Sequence, residues 1–164
     1  MLDVCLLGCG GMMPLPYRWL TSLMVRFNGS SLLVDCGEGT QRQMLHTKVS
    51  PMKISEIFIT HFHGDHILGL PGLIQSLGLH GRTEKLTIYG PKGLHKVRNA
   101  ILNFGYCKYE YPLEFVEIES GIIKETEEYI IKCQSVRHNV PSLAYSIEEK
   151  KKPRFLREKA IELG

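Results

Sequence analysis

The feature that most restricts this chain is the run His61-Phe62-His63-Gly64-Asp65-His66, entered directly from the apolar segment Ile57-Phe58-Ile59-Thr60. Such a segment reads as a buried strand, and the loop at a strand's end is where a rigid scaffold displays reactive groups. Alternate side chains of an extended segment point the same way, so His61 and His63 converge on one ion. Gly64 then permits a sharp turn that faces Asp65 and His66 toward a second ion. Imidazole nitrogen and carboxylate oxygen are suitable zinc ligands, at roughly 2.0–2.2 Å. Packing these side chains beside an apolar strand without a cation would desolvate polar groups with little compensation. No Cys-x-x-Cys pair accompanies the run, so an open catalytic site is expected in preference to a closed structural one.

A third imidazole for the first ion is best supplied by His138, which follows the expected strand Tyr129 to Val136 and precedes Asn139-Val140-Pro141. His46, His80 and His95 read as ordinary core or surface histidines. Asp35 closes the apolar run Leu32-Leu33-Val34 and leads into Cys36-Gly37-Glu38-Gly39. Two readings of it stay open. It supports a ligand histidine from behind by accepting that ring's other N–H, or it caps or turns the chain into a helix beginning at Thr40. Two ions about 3.5–4 Å apart can hold a water, lower its pKa toward ~7 and stabilise charge on a substrate. Asp65 is the nearest candidate to take that water's proton. The site is therefore a hydrolase site, and its spacing does not choose among phosphodiester, thioester and amide.

Around this centre the chain patterns as one domain of mixed structure. Leu2 to Leu7 is a short buried strand running into Gly8-Cys9-Gly10-Gly11, and Asn28-Gly29 between Ser22–Phe27 and Ser31–Asp35 is a hairpin signal. Further strands are expected at Ile54–Thr60, Leu86–Tyr89, Leu113–Ile118, Tyr129–Val136 and Leu143–Ile147. Helices are expected at Thr40–His46, Ile67–Leu79 and Leu94–Phe104, with a short one at Phe155–Leu163. Strands interleaved with fewer helices give an α/β or α+β class with a largely covered sheet. A net charge of +3 names no partner. Five cysteines, odd in number, argue against a disulfide framework; most are expected to be small buried apolar residues in a reducing compartment. No signal-like leader and no apolar run of the ~18 residues a membrane span needs are present, so a soluble, cytoplasmic protein is expected.

The His-x-His-x-Asp-His pattern, set after a glycine-rich first loop and an Asp-ended strand, resembles the metallo-β-lactamase superfamily. That resemblance implies an αββα sandwich, and histidine at position 63, where oxygen-reducing di-iron relatives carry glutamate, favours the zinc hydrolases. The flanking residues narrow it. Phe58 to His66 followed by Gly69-Leu70-Pro71-Gly72-Leu73, Val34 to Gln41 followed by Leu45-His46, and Tyr89-Gly90-Pro91-Lys92-Gly93 are similar to ribonuclease Z, the tRNA 3′-processing endonuclease. The resemblance implies that His61, His63 and His138 hold one zinc and Asp65 and His66 the other, with manganese as a possible substitute. It further implies that Asp65 helps activate the attacking hydroxide and that Asp35 stands behind a ligand. The implied substrate is precursor tRNA, cut after the discriminator base, and the implied assembly is a homodimer whose arm grips tRNA for the partner's site.

The basic residues Lys150, Lys151, Lys152, Arg154 and Arg157 fall where that arm begins, which favours phosphate contact over a solvated turn. Residues 1–147 are thus expected to form the metallo-β-lactamase-like N-terminal half, and 148–164 the start of a truncated arm. The family pattern also includes a bridging aspartate and a final histidine, yet no histidine or aspartate follows His138. Incomplete metal binding and little activity are expected unless a second segment completes the site. Two other functions remain open: a thioester or lactone hydrolase of the same fold, and a non-catalytic RNA-binding fragment.

Overall fold

The computed structural model describes residues 2–47, 49–106, 109–150 and 161. Hydrophobic patterning builds two sheets. The larger contains β1 (Leu2–Gly8), β2 (Ser22–Phe27), β3 (Ser30–Val34), β4 (Ile54–Phe58), β5 (Leu86–Gly90) and β6 (Leu113–Glu117), in that spatial order. The smaller contains β7 (Gly121–Glu125), β8 (Tyr129–Val136) and β9 (Ser142–Glu149). The turn between β2 and β3 is the expected one: Asn28 and Gly29 take φ of 43° and 90°, and Phe27 pairs with Ser30 across it. Positive φ at both turn positions matches the right-handed twist of the flanking strands.

From β3 to β6 the pairing is parallel, so the crossovers must pass over a face of the sheet. Among these connections run α1 (Thr40–His46), the single-turn α2 (Gly64–Ile67), α3 (Leu70–Leu79) and α4 (Leu94–Leu102). The expected helix Ile67–Leu79 is two helices, because Leu68 and Gly69 form a turn between them. Met44, Leu70, Leu73, Ile74, Leu77, Leu94 and Ile101 pack with Leu33, Ile57 and Ile88 on one face. On the opposite face Val25, Phe27, Leu32 and Phe58 meet Tyr129 and Ile131, with Tyr145 and Ile147 alongside. Leu32 and Leu33 are each completely buried in different cores. A strand covered on both faces reads as a continuous apolar run, which is why Leu32-Leu33-Val34 of β3 lacks alternation.

The result is three layers, helix, sheet and sheet, which is the expected metallo-β-lactamase arrangement with its outer helical layer absent among the described residues. Phe58 fastens the sandwich, stacking on Tyr89 at 5.0 Å between ring centroids and meeting Tyr145 edge-on at 5.4 Å. The Tyr145 hydroxyl donates to the Ile59 carbonyl at 2.8 Å, and the Leu143 N–H donates to the Thr60 carbonyl at 2.9 Å. These two bonds tie the small sheet to the strand that delivers the histidine run.

The cysteines only partly follow expectation. Cys36 and Cys133 are buried and Cys5 is half-buried, but Cys9 is exposed, and Cys107 lies outside the described residues. Cys9 sits just after the edge strand β1, exposed between the buried Gly8 and Gly10. Burial pushes the Cys36 thiol up to about 12, with the neighbouring Asp35 charge adding to the effect. A thiol-specific reagent at neutral pH is therefore expected to label Cys9 promptly and Cys36 only after denaturation. Peptide mapping of the labelled chain checks this, and rapid native labelling of Cys36 would contradict the packing described.

Candidate metal centre

Five side chains converge where β4 leaves the sandwich. Ile59, just past the end of β4, still donates its N–H to the Tyr89 carbonyl at 2.8 Å, and the chain bends at Thr60 before His61. The rings of His61 and His63 lie 4.7 Å apart between centroids. His138, from the loop between β8 and β9, stands 5.0 Å from His61 and 5.2 Å from His63. One ring nitrogen from each of the three lies within 4.8 Å of the others. His63 turns Nδ1 toward His138 Nε2, at 3.4 Å. Imidazole nitrogens facing one another with no carboxylate or carbonyl between them suit a shared cation.

Asp65 and His66 follow on α2, with Asp65 Oδ2 and His66 Nε2 3.5 Å apart. The sharp turn expected at Gly64 is the start of a helix. Gly64 begins α2 with an ordinary helical backbone after an extended His63, and the helical step itself redirects Asp65 and His66. Glycine is needed elsewhere. The Cys36 N–H donates to the His66 carbonyl at 2.8 Å, and the Gly69 N–H donates to the Cys36 carbonyl at 2.9 Å. These bonds press two loops together so closely that a Cβ on Gly69 would lie 2.1 Å from the Gly37 oxygen. Gly69→Ala is expected to force the loops apart, destabilising the chain by about 1–3 kcal/mol and loosening the His66 end of the site. A urea midpoint within error of the parent would contradict this.

Asp35 lies against a histidine and does not cap α1. It is 2% exposed, its φ is 58°, and its Oδ2 accepts from His66 Nδ1 at 2.7 Å. The residue entering α1 is instead Gly39, and no side-chain cap is made there. Thr60 completes the arrangement. Its N–H donates to Asp35 Oδ1 at 2.8 Å, and its hydroxyl lies 2.9 Å from both Asp35 Oδ2 and His61 Nδ1. Neither Thr60 nor Met12 emerged from the sequence. Thr60 could have been noticed as the polar residue closing the strand before His61. Met12, whose N–H donates to Asp65 Oδ2 at 3.1 Å, carries no local signal.

The charges are set by these contacts. The Asp35 hydrogen bond raises the His66 pKa against the opposing effect of burial, and burial lowers that of His61, helped by the neighbouring His66. Burial works to raise the Asp65 carboxyl, but the Met12 N–H and the nearby histidines together hold it below the ordinary range. His46, His80 and His95 are exposed away from the cluster, His80 bonding the Ser76 carbonyl. Lys150 pairs with Glu125, while Lys151, Lys152, Arg154 and Arg157 lie outside the described residues, as does the expected helix Phe155–Leu163 apart from Ile161, which is helical and exposed.

A sandwich of one mixed and one antiparallel sheet, with this histidine–aspartate cluster at its rim, defines a protein of the metallo-β-lactamase fold. The fold is shared with the metallo-β-lactamase fold protein YhfI of Bacillus subtilis, at a TM-score of 0.71 and 22% identity over 89% of this chain and 57% of that one. Residues 2–146 match the family model described as Anti-Pycsar protein Apyc1, and the chain belongs to that family. Its resemblance to ribonuclease Z, drawn above from residues 34–46, 58–73 and 89–93, is borne out. It is 49% identical to ribonuclease Z of Methanothermobacter thermautotrophicus over 164 residues, all of this chain and 53% of that protein. It is 46% identical to ribonuclease Z of Methanosarcina mazei over 165 residues, again all of this chain and 54% of that protein. The crystal structure of human tRNase Z, short form, aligns with a TM-score of 0.81 at 29% identity, covering 91% of this chain and 65% of that one. The chain thus spans about half the length of the curated relatives it matches.

Proposed function

We propose that this chain carries most of the metal centre of a tRNA 3′-processing endoribonuclease, which hydrolyses precursor tRNA after the discriminator base. The observation that carries the reading is the convergence of His61, His63 and His138 beside the Asp65–His66 pair. The donor set suits zinc, with manganese as an alternative; His61, His63 and His138 would hold one ion, and Asp65 and His66 the other. When bound, such ions supply an acidified water and a Lewis acid for the phosphate. Asp65, kept ionised by the Met12 N–H, is the group placed to accept a proton from the attacking water. Asp35 holds His66 in one orientation throughout.

The relatives' names support tRNA as substrate. In this reading residues 1–147 form the catalytic half and residues 148–164 begin a basic arm, of which Lys150, Lys151, Lys152, Arg154 and Arg157 contact phosphates. The functional unit is a cytoplasmic homodimer. No helix among the described residues is long and apolar enough to cross a membrane.

Incubation of precursor tRNA with the whole protein, including any segment that completes the site, and zinc or manganese tests the reading, with cleavage at the discriminator as the expected result. Hydrolysis of a thioester or lactone without tRNA cleavage would move the assignment to another hydrolase of this fold. Chelator-insensitive tRNA binding without turnover would reassign the chain as a binding fragment.

A further inference from the structure

We propose that Thr60 is a positioning residue that makes one carboxylate orient a histidine in each half of the site. The proposal rests on the reading above that the two groups of ligands bind metal. His66 belongs to one group and His61 to the other, and each has its Nδ1 turned away from the cluster toward the same buried spot. His66 Nδ1 meets Asp35 Oδ2 directly, at 2.7 Å. His61 Nδ1 meets the Thr60 hydroxyl at 2.9 Å, and that hydroxyl in turn lies 2.9 Å from Asp35 Oδ2.

Proton accounting leaves a single consistent pattern. Asp35, when ionised, only accepts, and the hydroxyl has one proton, which goes to the carboxylate. The hydroxyl oxygen then has only lone pairs to offer, so His61 must donate Nδ1–H to it. His66 likewise donates Nδ1–H to Asp35. Both rings are held in the tautomer that leaves Nε2 bare, the form a metal ligand requires. The hydroxyl is 3.4 Å from His66 Nδ1, too long to compete with the direct Asp35 contact.

The same residue fixes the site's position through its backbone. The Thr60 N–H donates to Asp35 Oδ1 at 2.8 Å, and its carbonyl accepts from the Leu143 N–H at 2.9 Å, at the start of the strand that follows the His138 loop. Thr60→Val keeps both backbone contacts and the branched shape, and deletes only the hydroxyl. Thr60→Ser restores the hydroxyl while removing a methyl group.

The test compares the parent, T60V and T60S. Long-range 15N–1H correlation spectra of the metal-free chains, recorded well above the ordinary imidazole pKa, report which ring nitrogen of His61 carries the proton. Cobalt(II) titration reports the affinity and ligand field of the three-histidine group, and urea unfolding reports stability. Expected are Nδ1–H in the parent and T60S, and loss of that preference in T60V. Cobalt affinity in T60V should fall about 10–100-fold and recover in T60S. Retention of Nδ1–H and parental affinity in T60V would overturn the proposal, and so would a T60S chain that behaves like T60V. A parent chain that shows the Nδ1–H tautomer yet takes up no metal would sink the metal reading, while the tautomer comparison still decides the role of Thr60.

Discussion

Replacing His63 by alanine is expected to abolish zinc or cobalt binding at the three-histidine group. His63 Nδ1 faces His138 Nε2, and its ring packs edge-on to those of both His61 and His138. With it gone, two imidazoles remain, and His138 is held on an exposed loop whose only described contact within the cluster was to His63 and His61. The loss should exceed the ~10–100-fold that follows removal of a group merely supporting a ligand. Competition against a chromophoric chelator measures it, with His80→Ala as the control. His80 is exposed, away from the cluster, and its ring bonds the Ser76 carbonyl of its own helix, so that variant should bind like the parent. Equal affinity in the His63 and His80 variants would refute the assignment of the centre.

Asp35→Ala is expected to cost both stability and metal. The carboxylate is buried among the Thr60 N–H, the Thr60 hydroxyl and His66 Nδ1. Its removal strands all three donors, and breaking a buried pair by deleting one partner costs about 3–5 kcal/mol. Alanine is also poorly suited to the left-handed backbone there, which costs a further ~1–2 kcal/mol. Asp35→Asn separates the two effects. Asparagine tolerates that backbone and keeps an acceptor for the Thr60 N–H, but it brings an amide N–H₂ to a position where His66 needs an acceptor. The asparagine variant should therefore fold with a much smaller loss of urea resistance than the alanine variant. It should still bind metal at the Asp65–His66 pair about 10–100-fold more weakly. An asparagine variant with parental affinity would show that the Asp35–His66 contact is incidental.

The secondary structure was largely legible because most elements carry strong local signals. The Asn28-Gly29 turn, the apolar runs of β3 and β4 and the amphipathic α1 and α4 all lie within a few residues of where their patterns put them. The strand β7 was missed. It is an edge strand with no fully buried residue, so its apolar pattern is weak. The site was legible only where its residues are neighbours in sequence. His61, His63, Asp65 and His66 announce themselves within one short run. Asp35 stayed ambiguous because a carboxylate after a strand and before a helix suits a cap as well as a ligand support, and both readings look the same locally.

Sequence alone therefore determined the chemistry on offer: a strand ending in metal-competent imidazoles, and flanking motifs that place the chain beside ribonuclease Z. Only the tertiary structure decided which groups meet. His138 reaches His63 because the small sheet docks on the large one through Phe58, Tyr145 and the Leu143–Thr60 bond. Asp35 faces His66 because the Gly37 and Gly69 loops pack without a Cβ between them. Local composition dictates backbone preference and burial over a few residues. The partner of a nitrogen or an oxygen many residues away is set by how the layers close over their shared core, and no local pattern encodes that.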